Sequence, residues 1–237
     1  MPSLAALVAI CVTVSLGNWQ MRRAAEKEAA QNALVAADRM EPVQIPGAKM
    51  TLSELVDRRV LVSGAWQPEF TVFIDNRTHR GISGFHVVTP FKIEGVSTSI
   101  VVLRGWVAGD PARRSIPPAL DTASGVVRLQ GRVMPDFPQT LELKASPEPG
   151  ASDRVWQNVS LERMRRWTGL GLADFVIRQT EPDQSVAGPV DDGLVREWRE
   201  PGSGVDKHHG YAAQWYGLAA LVLVLWIWNI IFLSRRS

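Results

Sequence analysis

His208 and His209 open the stretch His208-His209-Gly210-Tyr211-Ala212-Ala213-Gln214-Trp215-Tyr216-Gly217, and they are two of only four histidines in the chain. If the stretch is helical, His208 shares a face with Tyr211 or Ala212, with Trp215 and with Ala219, because positions three and four apart stack on one side. A neutral imidazole is a good axial ligand for haem iron, and a flat apolar macrocycle packs well on Ala, Gly and Trp. On that reading His208 is a candidate metal ligand. The same residue types also make an ordinary interfacial belt, in which amphipathic rings settle at headgroup depth, and on residue types alone the belt is the commoner arrangement.

The other chemistry-bearing residues are fewer and more scattered. His86 alternates with Phe85 and Val87 and reads as a packed or surface strand residue, whereas His79, between Arg77 and Arg80 in a turn, reads as solvated. Arg77 and Arg104 stand at strand edges near glycine, where a guanidinium fork could take carboxylates such as haem propionates, or could equally serve an internal ion pair or meet solvent. Cys11, the single cysteine, excludes an intramolecular disulfide and a multi-cysteine metal site, and behaves as a small apolar residue. There is no nucleotide loop, G-x-S-x-G elbow, H-E-x-x-H or C-x-x-C, and no nucleophile, base and orienter can be nominated together, so the chain does not read as an enzyme.

The elements that must position these residues are set by how charge is distributed. The chain has 237 residues, 46% hydrophobic and 21% charged, with a formal net charge of +2. No charged side chain occurs from Met1 to Met21, and none from His208 to Ser234 unless a histidine is protonated. Each of these stretches is long enough to cross a hydrocarbon core about 30 Å thick. The sequence therefore divides into a transmembrane helix over 1–21, a water-soluble domain over 22–207, a second transmembrane helix over 208–234 and a basic tail over 235–237. Neither span carries an ionisable residue at its centre to mark a transport pathway. Basic and acidic residues are interspersed along the middle, so nothing reads as a nucleic-acid footprint. The Arg235-Arg236 tail favours a cytoplasmic C-terminus and, with two spans, an extracytoplasmic middle domain; Arg22, Arg23 and Lys27 after the first span argue the other way, but long domains translocate largely regardless of charge. Residues 1–21 lack a basic leader and end in Trp19-Gln20, which suits a retained span better than a cleaved signal peptide.

Within the middle domain, 20–39 is rich in helix formers and continues the first span as a helix, which Pro42 and Pro46 end. Thr51-Leu52-Ser53-Glu54 has capping-box spacing and predicts a short helix over 52–57. From Arg59 the hydrophobic period becomes two, predicting strands near 59–67, 70–76, 84–94, 98–107 and 126–134, with antiparallel pairing across their short links. Further strands are predicted over 139–144 and 175–177, and a helix with Ser160 as N-cap that runs through Met164 and Trp167. Residues 110–118 read as an exposed loop, and 181–204 as a loosely ordered return to the membrane. The expected fold is a membrane α+β protein, two terminal transmembrane helices flanking a mainly antiparallel β domain with a few short helices.

Four segments, in order, carry a family resemblance. Leu16-Gly17-Asn18-Trp19-Gln20-Met21-Arg22-Arg23, with Lys27, resembles the end-of-first-helix signature of the Surfeit locus protein 1 family, the cytochrome c oxidase assembly factors of mitochondria and bacteria. Asp75-Asn76-Arg77, Gly81 and Gly84-Phe85-His86-Val87-Val88-Thr89-Pro90 resemble its central strand pair, and Leu103-Arg104-Gly105-Trp106-Val107 its R-G-W strand. The stretch from His208 through Tyr211, Ala212, Gln214, Trp215, Tyr216 and Gly217 resembles the opening of its second helix. The departures are Leu103, where a polar residue is usual, and Ala108, where a proline often follows.

The resemblance implies a bacterial inner-membrane protein with both termini cytoplasmic and a periplasmic middle domain. It implies that the chain binds haem a and assists its placement in cytochrome c oxidase subunit I, with His208 as axial ligand and Tyr211 and Trp215 as packing neighbours in the cofactor site. Haem a synthase is a second implied partner. It raises the haem reading of His208 above the belt reading; His209 does not match the ligand position. The rival within the same resemblance is a cofactor-free scaffold that stabilises subunit I.

Overall fold

The structure, a computed structural model, describes residues 2–45, 52–110, 112, 117–138, 150, 152–198 and 204–234. In chain order its elements are α1 (Pro2–Arg39), β1 (Val43–Gln44), α2 (Leu52–Leu55), β2 (Arg59–Trp66), a 3-10 turn (Pro68–Phe70), β3 (Val72–His79), β4 (Ile82–Ile93), β5 (Ser99–Ala108) and β6 (Val127–Met134). They continue with β7 (Val155–Trp156), α3 (Leu161–Thr168), β8 (Leu172–Gln179), β9 (Gln184–Ser185), β10 (Gly188–Pro189) and α4 (Val205–Ser234). The chain separates into two compact units: a helical one, with α1 up to Ala36 and α4, and a β-rich one over Ala37–Trp198.

In the helical unit, α1 and α4 are each long and apolar enough to cross a membrane, and little of either apolar stretch is buried within the protein. Their exposed leucines, isoleucines, valines and aromatics suit lipid, not a water-soluble core. The helices run antiparallel: Gly17 lies against Tyr216, and further along α1 Gln20 meets His208. Small residues let them approach, with Ala24, Ala212 and Ala219 buried at the seam. A Cβ at Gly17 would stand 2.6 Å from the Tyr216 ring, so this position must stay small unless the ring moves.

In the β-rich unit the strands form one sheet that closes on itself. β2 pairs antiparallel with β4 and β6, β4 antiparallel with β5, β5 parallel with β8, and β8 antiparallel with β6. These five pairings make a ring of five strands, which removes the open edges a flat sheet would present. The alternation read in the sequence supplies the interior: Val60, Val62 and Trp66 from β2, Phe91 and Ile93 from β4, Ile100 and Val102 from β5, Val127, Leu129 and Val133 from β6, and Phe175 and Ile177 from β8. β6 is flanked on both sides at Gly131, paired with Val60 and Gln179; a Cβ there would lie 2.4 Å from Ile177 and 2.6 Å from the Arg178 carbonyl oxygen. A second apolar cluster outside the ring is closed by α3, whose Leu161 and Met164 cover Val72, Val88, Leu103 and Val176. Ser160 caps α3, its hydroxyl accepting from the Arg163 amide, and Gly169 ends it in the left-handed conformation.

The predicted elements are present with shifted ends, and three expectations need correction or limits. β2 and β3 do not pair: the 3-10 turn at Pro68–Phe70 redirects the chain, so β2 pairs with one part of β4 and β3 with the other. The strand predicted over 139–144, the tail 235–237 and the capping hydroxyl of Thr51 lie outside the described residues. The segment after Glu181 is not a loose return as far as Trp198. It forms β9 and β10, bridges Val195 to Trp106 and buries Asp183, Asp192 and Leu194. Its Gly, Pro and Asp residues make turns, and its carboxylates have partners inside the domain.

Candidate functional site

The stretch that opens α4 is helical, as the shared face required, and α1 supplies its partners. His208 is half-buried, with its Nδ1 2.7 Å from Oε1 of Gln20. His209 is exposed and points Nε2 at the Glu28 carboxylate, 3.0 Å away. Tyr216 donates its hydroxyl to Asn18 Oδ1 at 2.7 Å. The shared face expected of His208, Tyr211 or Ala212, Trp215 and Ala219 divides. Ala212 and Ala219 turn into the seam against α1, Trp215 is half-buried, and Tyr211 is 51% exposed on the outside of the pair. Nothing crowds the pair at Gly210 or Gly217, where an added Cβ would meet open space. Gln20, Asn18 and Glu28 were not legible as partners, because no local pattern links residues 181 to 198 positions apart.

The arginines and histidines of the β-rich unit are placed differently from one another. Arg104 lies on the interior side of β5 with no exposed surface, its guanidinium 4.4 Å from the Trp66 ring. It donates to Asp192 at 3.1 Å and Thr122 at 2.9 Å, and Asp192 also accepts from Arg196 at 2.5 Å. Asp183 lies in the same cluster, accepting from Trp66 Nε1 at 2.6 Å and Gln179 Nε2 at 2.9 Å. Burial holds the Asp183 carboxyl above its ordinary range, against the opposing pull of the Trp66 hydrogen bond and the Arg104 charge. Burial likewise lowers Arg104, with Asp192 opposing it. Of the two readings of Arg104, the internal ion pair is the one found. A propionate has no route to a fork enclosed in the ring.

Arg77, half-buried in β3, donates to the Gln157 carbonyl oxygen at 3.2 Å. His79 is not solvated as expected: its side chain is 19% exposed, 3.4 Å from Glu197 and tilted against Trp106. His86 is a packed strand residue, as read, edge-on to Trp198 at 5.4 Å between ring centres. Burial, then the nearby Arg77 and His79, push its imidazole down to about 4. Glu197 and Trp198 belong to the segment that returns toward α4, so both β-domain histidines hold that segment to the sheet. Cys11 is a free, outward-facing cysteine on α1. Among the described residues no cluster of three or more His, Cys, Asp or Glu is arranged to hold a metal ion.

The profile of the SURF1 family matches residues 7–220, which takes in most of α1, the whole β-rich unit and the first half of α4. A SURF1-like protein of Monosiga brevicollis is 27% identical over 239 residues, an alignment covering 95% of this chain and 85% of that protein. A SURF1-like protein of Rickettsia felis is 27% identical, with 95% of each chain covered, and Surfeit locus protein 1 of Mus musculus is 28% identical, with 89% of this chain and 70% of the mouse protein covered. The match runs through both helices and the closed sheet between them, and on that extent the chain belongs to the SURF1 family.

Proposed function

We propose that this chain is an assembly factor for cytochrome c oxidase, and that it receives haem a on its helix pair and assists its insertion into subunit I. The observation that carries the reading is His208, a half-buried imidazole at the seam of two lipid-exposed helices, with Tyr211 and Trp215 on its next turns. These residues fit a flat iron-bearing ring. His208 would supply an axial nitrogen, and Trp215 and the outward Tyr211, on the same side of α4, would pack against the macrocycle. The haem is cargo, so the chain needs to hold it and release it, not to perform chemistry on it. A single protein-derived ligand suits that task, because one coordinate bond is exchanged more readily than two.

In this reading the β-rich unit lies on the periplasmic side of a bacterial inner membrane, with both termini cytoplasmic, haem a synthase is the donor and subunit I the acceptor. The test is the optical spectrum of the full chain purified in detergent after coexpression with haem a synthesis. The chain should carry haem, and His208→Ala should abolish its Soret band without altering the far-UV circular dichroism. Haem content unchanged by that substitution refutes the ligand assignment. Crosslinking to subunit I that persists in a haem-free His208→Ala chain would instead support the scaffold reading. Reporter fusions placing the β-rich unit in the cytoplasm would refute the orientation.

A further inference from the structure

We infer that Gln20 is a positioning residue that sets the tautomer of His208, so that Nε2 is the nitrogen left free to bind iron. This rests on the proposed haem-binding role of His208 but adds a second residue, on the other helix, that the role requires. A neutral imidazole carries one hydrogen, and its two nitrogens therefore differ: one donates, the other holds a lone pair. Oε1 of Gln20, 2.7 Å from Nδ1, is a carbonyl oxygen and can only accept. The hydrogen of His208 is therefore on Nδ1. The lone pair is on Nε2, the nitrogen farther from the backbone and the better placed to meet a large planar ligand.

His209 is fixed in the opposite sense. In the neutral ring Glu28 accepts from its Nε2, which leaves the lone pair on Nδ1 beside its own main chain. The two neighbouring histidines thus differ in ligand competence because α1 offers an acceptor to a different nitrogen of each. Hydrogen bonds of this kind orient histidine ligands in metal proteins and raise their basicity, and losing one commonly lowers metal affinity by roughly 10- to 100-fold.

Two measurements on the full chain in detergent test this. The first is the ring 15N shifts of His208 without haem, at a pH alkaline enough for the ring to be neutral; with four histidines, each signal is assignable by single substitution. Wild type and Gln20→Glu should show a protonated Nδ1 and an unprotonated Nε2, and Gln20→Leu should lose that preference. Asn18→Leu, which removes the Asn18–Tyr216 bond of the same helix pair, should leave it unchanged. A protonated Nε2 in wild type, or shifts indifferent to Gln20→Leu, overturns the inference.

The second is titration with ferric protoporphyrin IX followed in the Soret band. Gln20→Leu should weaken binding roughly 10- to 100-fold, Gln20→Glu should restore it, and Asn18→Leu should have no effect. If His208→Ala abolishes binding while Gln20→Leu matches wild type, the positioning role fails and the ligand stands. If His208→Ala binds as wild type does, the ligand assignment fails, and with it the role given to Gln20.

Discussion

Removing the Asp192 carboxylate should destabilise the ring, because it leaves a buried guanidinium without its counter-charge. Arg104 has no exposed surface, and its main counter-charge is Asp192, 3.1 Å away. Two unit charges about 4 Å apart attract by about 4 kcal/mol at an effective dielectric near 20, and truncating one member of a buried pair costs about 3–5 kcal/mol because the other is left uncompensated. The Trp66 ring, the Thr122 hydroxyl and the charge of Asp183 remain for Arg104 after Asp192→Ala, while the largely buried Arg196 loses the same partner, so a cost within that range of at least about 3 kcal/mol is expected. For a chain of this size that corresponds to a fall in Tm of roughly 6–12 °C.

The assay is thermal unfolding of the full chain in detergent, followed by the β signal in circular dichroism and by tryptophan fluorescence, to which Trp66 reports from beside the pair. The decisive comparison is Arg104→Met combined with Asp192→Leu. Removing both charges should cost less than Asp192→Ala alone, since the fully buried guanidinium is then gone and only the partners lost by Arg196 and Asp183 remain as a cost. A loss under about 1 kcal/mol for Asp192→Ala, or a double substitution as costly as the sum of its parts, would refute the account of this cluster.

Other expectations follow from the same geometry. The folded state holds the His86 imidazole at about 4, whereas the unfolded chain takes up its proton near 6.5. Its contribution is therefore complete above about pH 6.5 and is lost as pH falls toward 4, up to about 3 kcal/mol, and His86→Phe should flatten that part of a stability-against-pH curve measured by urea unfolding. Gly131→Ala should destabilise the ring by about 3 kcal/mol in the same assay, because its Cβ would meet Ile177 and the Arg178 carbonyl at contact distances too short to keep. Ser160→Ala should cost about 1 kcal/mol through the lost cap of α3. Gly17→Leu should separate the helix pair, seen as loss of crosslinking between cysteines introduced on α1 and α4, whereas Asn18→Leu, deleting one interhelical hydrogen bond worth about 0.6 kcal/mol, should preserve it.

The spans, the continuation of α1 as far as Arg39 and most strands were legible because each depends on local pattern: an uncharged run, a set of helix formers, an alternation of buried and half-buried residues such as that of β2. Ring closure was not, because the β2–β6 pairing joins segments about 65 residues apart and nothing in either names the other. The segment after Glu181 was misread for a related reason. Asp183 and Asp192 look like turn residues until Trp66, Gln179 and Arg104 are seen to face them. At the candidate site, His208, Tyr211 and Trp215 could be grouped by helical spacing, but spacing could not tell that Ala212 rather than Tyr211 would face α1. It also gave no hint of Gln20, whose relation to His208 exists only once two helices from opposite ends of the chain lie side by side.

The Arg104–Asp192 pair joins residues 88 positions apart, and this constrains the order of events on the ribosome. Five of the strands could be in hand, from β2 through β6, while the sheet still lacks β8 and the central cation lacks its counter-ion. A nascent chain halted before Asp192 would have to enclose the guanidinium without its main counter-ion to close the ring, so the sheet should remain open and accessible to chaperones until then. Asp192 is followed within about 13 residues by α4. Completion of the β-rich unit and delivery of the second helix to the translocation machinery therefore fall within moments of each other, and the half of the helix pair that bears His208 is released only as the domain becomes able to fold.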